Sequence, residues 1–234
     1  MADLKNYGII LASGTGSRYG SDIPKQFISL AGKTILEHTI EAFEKTEKID
    51  HIIIVITPEY KYLAEKILLK NNFKKVIKLL CGGKTRKDSS YIGISSIEEN
   101  EANILIHDCA RPFIKKEIIL NCIEALKKHD AVDVAIASSD TILKVKNGFI
   151  EEIPERSAFM RSQTPQCFKL SLIKKAHELS KNDQSYTDDC GLIVKYNLAN
   201  IYIVEGDVEN IKITYPSDIY MAEKILEMKN NPNY

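Results

Sequence analysis

The six residues His51-Ile52-Ile53-Ile54-Val55-Ile56 are apolar almost without a break. A strand sends successive side chains to opposite faces, so such a run has no polar face to offer water. It predicts a strand covered on both sides, which confines the fold to a sheet sandwiched between helices. Tyr7–Ala12, Val76–Cys81, Asn103–His107, Ala131–Ala137 and Asn200–Val204 read as further strands. Between and after them lie segments of helical period or length: Thr34–Thr46, Tyr60–Lys70, Arg86–Glu98, Lys116–Lys128, Leu170–Leu179 and Asp188–Tyr196. Thr187 is the expected N-cap of residues 188–196, and Pro216 opens a last helix to about Lys229. Strand–helix–strand repeats with short joints predict an α/β fold, a doubly wound, mainly parallel sheet.

One such domain over residues 1–234, with an excursion, accounts for the length. The excursion is an arm at about 139–168. There Thr141–Lys146 and Phe149–Ile153 alternate apolar and polar around Asn147-Gly148, a hairpin signal. A projecting hairpin has edges to protect, so it either pairs with a second copy of the chain or folds back on its own sheet. The five cysteines are odd in number and form no Cys-x-x-Cys pair, which argues against a disulfide framework or a zinc site and for a reducing cytoplasm. Thirty-two basic and thirty-two acidic residues cancel, which disfavours a nucleic-acid surface. No run approaches a membrane span, and Met1–Asn6 does not open a signal peptide.

Ligands of open α/β sheets gather beyond the carboxyl ends of the strands. The first strand runs into Leu11-Ala12-Ser13-Gly14-Thr15-Gly16-Ser17-Arg18, followed by Pro24-Lys25-Gln26. Glycines let backbone amides approach a phosphate, and Arg18 and Lys25 can neutralise it. No Walker Lys-Ser/Thr closes the loop and the third glycine of a dinucleotide site is missing, so a triphosphate cradle or a plain tight turn remain. The third strand ends in Gly82-Gly83-Lys84-Thr85-Arg86, with Ser89 a turn later, again suited to a nucleotide or to an ordinary turn. After the fourth strand Asp108 can hold Mg²⁺ or ribose hydroxyls, while Arg111 reaches a ligand or pairs with Asp108. Lys212 lies in the strand-like run Asn210–Thr214. No nucleophile–base arrangement appears; cations beside glycine turns recur instead. That suits a reaction whose substrate brings its own nucleophile while the protein supplies positioning and charge.

These pieces, together with Arg156, Thr164-Pro165-Gln166 and Thr187-Asp188-Asp189, resemble in order the polyol-phosphate cytidylyltransferases. The resemblance implies an α/β nucleotidyltransferase fold and a homodimer joined through the arm. It implies Mg²⁺-dependent transfer of CMP from CTP to a sugar-alcohol phosphate, releasing pyrophosphate. Leu11, Ala12, Ser13, Gly14, Thr15, Gly16, Gly82, Gly83, Arg86 and Ser89 would then line the CTP site. Arg18 and Lys25 would stabilise the transferring phosphoryl, and Asp108 would lie near ribose, metal or acceptor. Arg111 and Thr141 would contact the acceptor, with Arg156 and Lys212 on its phosphate. Ile153–Arg156 and Phe159–Gln166 look more like the ribitol branch, so D-ribitol 5-phosphate is the expected acceptor and 2-C-methyl-D-erythritol 4-phosphate the alternative; Cys109-Ala110-Arg111 leans the other way. A nucleotide-binding module without chemistry and a nicotinamide oxidoreductase are the competing classes.

Overall fold

The structure, a computed structural model, describes residues 4–14, 23–181, 183 and 188–230. In chain order the elements are β1 (Asn6–Ala12), β2 (Ser29–Leu30), β3 (Lys33–Thr34), α1 (Ile35–Glu44), β4 (His51–Ile56), α2 (Lys61–Asn71), β5 (Val76–Cys81), α3 (Arg86–Ser95) and β6 (Asn103–Asp108). They continue with α4 (Lys116–Ala125), β7 (Ala131–Ala137), β8 (Lys144–Lys146), β9 (Phe149–Glu152), β10 (Met160–Lys169), α5 (Leu170–Leu179), α6 (Asp189–Lys195), β11 (Ile201–Glu205) and α7 (Ser217–Asn230).

Among the described residues seven strands form one sheet in the order β11-β7-β10-β6-β1-β4-β5. Pairing is parallel except at β10, which runs antiparallel to both neighbours. The apolar runs divide by parity as a two-sided strand must. On β4, Ile52, Ile54 and Ile56 join one core with Phe43, Ile118 and Ile225, while Ile53 and Val55 join the other with Ile94, Ile173 and Ile193. Thus α1, α2, α4 and α7 cover one face and α3, α5 and α6 the other. No helix among the described residues is long and apolar enough to cross a membrane.

Three local expectations change. Residues 160–168, assigned to the end of the arm, belong to β10 (Met160–Lys169) inside the sheet. Pro165 cannot donate to a ladder, and it falls where the β10–β7 register shifts between Ser162 and Gln166. The run Asn210–Thr214 is not a strand; it is held by single bonds, such as Ile213 N–H to the Ala110 carbonyl at 2.8 Å. The cap of α6 is Asp188, whose carboxylate accepts from Gly191 N–H at 2.9 Å; Thr187 lies outside the described residues.

The arm's hairpin, β8 with β9, is a separate two-stranded sheet and does not fold back on the large one. Asn147 and Gly148 both take positive φ, +51° and +83°, as the tight two-residue turn requires. Val145, Phe149 and Ile150 on it are exposed.

Candidate active site

A cavity of about 320 Å³ opens at the carboxyl ends of β1, β5 and β6. This is where a central strand has parallel neighbours whose connections diverge, the usual crevice of such sheets. Its walls include Leu11–Gly14, Lys25, Arg86, Asp108 and Lys212.

Each wall is fixed from behind. Gln26, buried, donates to the Ala12 carbonyl at 2.8 Å and so closes the end of β1. Thr85 caps α3: its hydroxyl accepts from Asp88 N–H at 3.1 Å, and Asp88 accepts from Thr85 N–H at 3.0 Å. That cap aims Arg86 into the site. Ser89, fully buried, ties the two glycine loops together: it accepts from Ser13 Oγ at 2.7 Å and Gly83 N–H at 3.2 Å, and donates to the Thr85 carbonyl. Gly82 is needed for this closeness, because a Cβ there would stand 2.6 Å from Ser13 Cβ. Lys25 Nζ donates to the Ile213 carbonyl at 3.0 Å, so it holds the segment that carries Lys212.

Asp108 is the centre of charge. Its Oδ1 accepts from Arg86 Nε at 3.0 Å and its Oδ2 from Lys212 Nζ at 2.6 Å. Burial alone would raise this carboxyl; Arg86 and Lys212 outweigh it and hold Asp108 well below the usual carboxylate range. Behind it His107 is fully buried, and burial lowers its imidazole to about 4, so it is neutral. Asp108 N–H donates to Thr164 Oγ1, which faces His107 Nδ1 at 2.9 Å, while Nε2 faces the Arg111 carbonyl at 3.0 Å. These contacts assign the proton to Nε2.

Of the expected site residues, Leu11, Ala12, Ser13, Gly14, Lys25, Arg86, Asp108 and Lys212 line the cavity; Gly82, Gly83 and Ser89 stand just behind it. Thr15, Gly16 and Arg18 lie outside the described residues. Arg111 does not pair with Asp108; it turns away and donates to the carbonyls of Asn210 at 2.7 Å and Ser162 at 3.4 Å. Arg156 sits in a recess of the arm between β7 and β10, with Phe159 and Met160, and donates to the Ser139 carbonyl at 3.2 Å. Neither Arg156 nor Thr141 is a wall of the cavity within one chain. Among the described residues no three His, Cys, Asp or Glu side chains cluster as metal ligands, and both Asp108 oxygens already face cations. These side chains therefore do not fit a protein-built site for the expected Mg²⁺. Lys84 and Thr214 also line the cavity; the sequence offered Lys84 as the cation after Gly82-Gly83, while Thr214 carried no signal of its own.

The sequence model of the 2-C-methyl-D-erythritol 4-phosphate cytidylyltransferases matches residues 7–228. The chain belongs to this family. The cytidylyltransferase is 42% identical over 222 residues to the 2-C-methyl-D-erythritol 4-phosphate cytidylyltransferase of Clostridioides difficile, covering 94% of this chain and 93% of that protein. It is also 42% identical over 233 residues to the bifunctional ribulose 5-phosphate reductase/CDP-ribitol pyrophosphorylase Bcs1 of Haemophilus influenzae. That match takes in 97% of this chain but spans only 49% of the Haemophilus protein. The crystal structure of 4-diphosphocytidyl-2C-methyl-D-erythritol synthase from Anaerococcus prevotii superposes with a TM-score of 0.86 at 30% identity, covering 96% of this chain and 97% of that one. The cytidylyltransferase is thus a CTP-dependent nucleotidyltransferase with the α/β fold of that family.

Proposed function

We propose that the enzyme joins CMP from CTP to 2-C-methyl-D-erythritol 4-phosphate. An acceptor phosphate oxygen bonds to the α-phosphorus of CTP, the bond from that phosphorus to the β-phosphate oxygen breaks, and pyrophosphate leaves. The observation that carries this reading is the meeting of Lys25, Arg86 and Lys212 in one cleft beside Ser13 and Gly14. Two anions repel as they approach, and fixed cations around the reacting phosphates offset that repulsion in the transition state. Lys25 faces the leaving pyrophosphate, and Arg18 joins it by its place in the sequence. Lys212 holds the acceptor phosphate. Arg156 and Thr141 reach the acceptor site of a second copy through the arm, whose exposed Val145, Phe149 and Ile150 suit a homodimer contact.

The choice of acceptor follows the family match and the Clostridioides relative, and it reverses the preference drawn from residues 153–166. D-Ribitol 5-phosphate remains the second reading, favoured by the Haemophilus relative, whose name carries CDP-ribitol. Pyrophosphate release measured with CTP, Mg²⁺ and each polyol phosphate side by side decides between them. A kcat/KM at least a hundredfold higher with 2-C-methyl-D-erythritol 4-phosphate is expected; the reverse ratio installs ribitol, and turnover with neither defeats the transferase reading.

A further inference from the structure

Asp189, the first residue of α6, belongs to none of the roles above and does not line the cavity. It is 1% exposed. Its Oδ2 accepts from Arg86 Nη1 at 2.7 Å, and its Oδ1 from Ser90 Oγ at 2.7 Å and His177 Nε2 at 2.9 Å. Its own N–H donates to Gln166 Oε1 at 3.0 Å. Side chains from α3 and α5 therefore fix the carboxylate, Gln166 of β10 fixes its backbone, and the carboxylate in turn holds Arg86. A guanidinium is a rigid fork that can close on a carboxylate with two parallel bonds. Arg86 reaches Asp108 through Nε, while its Nη1 is committed to Asp189. The second Asp108 oxygen is left to Lys212, whose long stem would otherwise sample many rotamers.

We propose that Asp189 is a positioning residue: by holding Arg86 it limits Arg86 to one oxygen of Asp108, reserves the other for Lys212, and so sets where the Lys212 ammonium stands for the acceptor phosphate. The electrostatics agree. Burial would raise the Asp189 carboxyl, but Arg86 and the His177 and Ser90 hydrogen bonds lower it to about 2, so the anchor is charged throughout the working range. Released from it, Arg86 closes a two-bond fork on Asp108 and Lys212 loses its tether. This inference rests on the transferase reading for the identity of the anion that Lys212 meets.

The test is a cycle of Asp189→Asn, Lys212→Gln and the double variant, with KM measured separately for CTP and acceptor. Asp189→Asn is expected to raise the acceptor KM about tenfold while moving the CTP KM less than threefold, and the double variant to lose no more than Lys212→Gln alone. Losses that multiply, or that strike both substrates alike, overturn the proposal. Should Asp189→Asn not fold, Ser90→Ala removes one pin and keeps the charge; a two- to fivefold rise in acceptor KM supports the proposal and no change overturns it. Should wild-type enzyme turn over neither acceptor, the functional reading fails by itself, and hydrogen exchange at Arg86 Nε–H then tests the placement. At least tenfold faster exchange in Asp189→Asn supports it; an unchanged rate overturns it.

Discussion

Replacing Gly82 by alanine tests whether the two glycine loops must stay in contact for nucleotide binding. The new methyl carbon would stand 2.6 Å from Ser13 Cβ, 2.9 Å from Ser89 Oγ and 3.0 Å from Ser13 Oγ. Carbon atoms rest about 3.5–4.0 Å apart, so Ser13 has to retreat by about 1 Å. The Ser13–Ser89 hydrogen bond is 2.7 Å long, and an opening of that size breaks it. Overpacking costs about 1–3 kcal/mol and the lost bond about 1 kcal/mol. Ser13 and Gly14 lie beyond the end of β1, outside its ladder, so the shift is taken up at the cavity wall and read as affinity. At about 1.4 kcal/mol per factor of ten, this total of about 2–4 kcal/mol raises Kd for CTP roughly 30- to 700-fold. Titration calorimetry with CTP measures it. Adding Ser13→Gly removes the nearest clash and is expected to return part of the loss. A Gly82→Ala variant that binds CTP within twofold of wild type would show that the loops do not need this contact.

Lys25→Ala should cut kcat by about a hundred- to a thousandfold, the cost of one lost transition-state donor, while CTP affinity changes less than tenfold; equal losses in rapid-quench and binding measurements would remove Lys25 from the leaving group. Arg156→Ala should raise the acceptor KM about tenfold or more, as one charge-assisted bond is lost; an unchanged KM would take the arm out of that site. The neutral His107 imposes a pH dependence on stability. Below its ordinary value of 6.5 the unfolded chain takes up a proton, whereas the folded imidazole does so only at about 4. Stability therefore falls by roughly 3 kcal/mol as pH drops through that window, and urea melts of His107→Asn should lack this part of the slope.

β4 was legible because its apolar run leaves no polar face and the other five predicted strands as apolar runs of strand length, although β5 and β11 lie at the sheet edges; the helices between them differ from expectation only at their ends. β10 was not legible. Its inward Gln163 and Gln166 are polar, buried and satisfied by partners far along the chain, and Pro165 interrupts the pattern. The cavity's contributors were largely visible as cations and glycines after strands. Their pairing was not: Arg111, three residues from Asp108, was a natural partner by proximity, yet the bonds come from Arg86 and Lys212. Asp189 stood out only as part of Thr187-Asp188-Asp189; its partner, a guanidinium from α3, could not be read there.

Lys25 and the carbonyl it holds are separated by 188 positions along the chain. During synthesis, then, the β1 loop emerges well before the segment that completes the site. A ribosome-bound chain halted before Asn210 has the β1 and β5 loops but neither Lys212 nor the Ile213 carbonyl, so the cleft cannot close until residues 210–214 have been made.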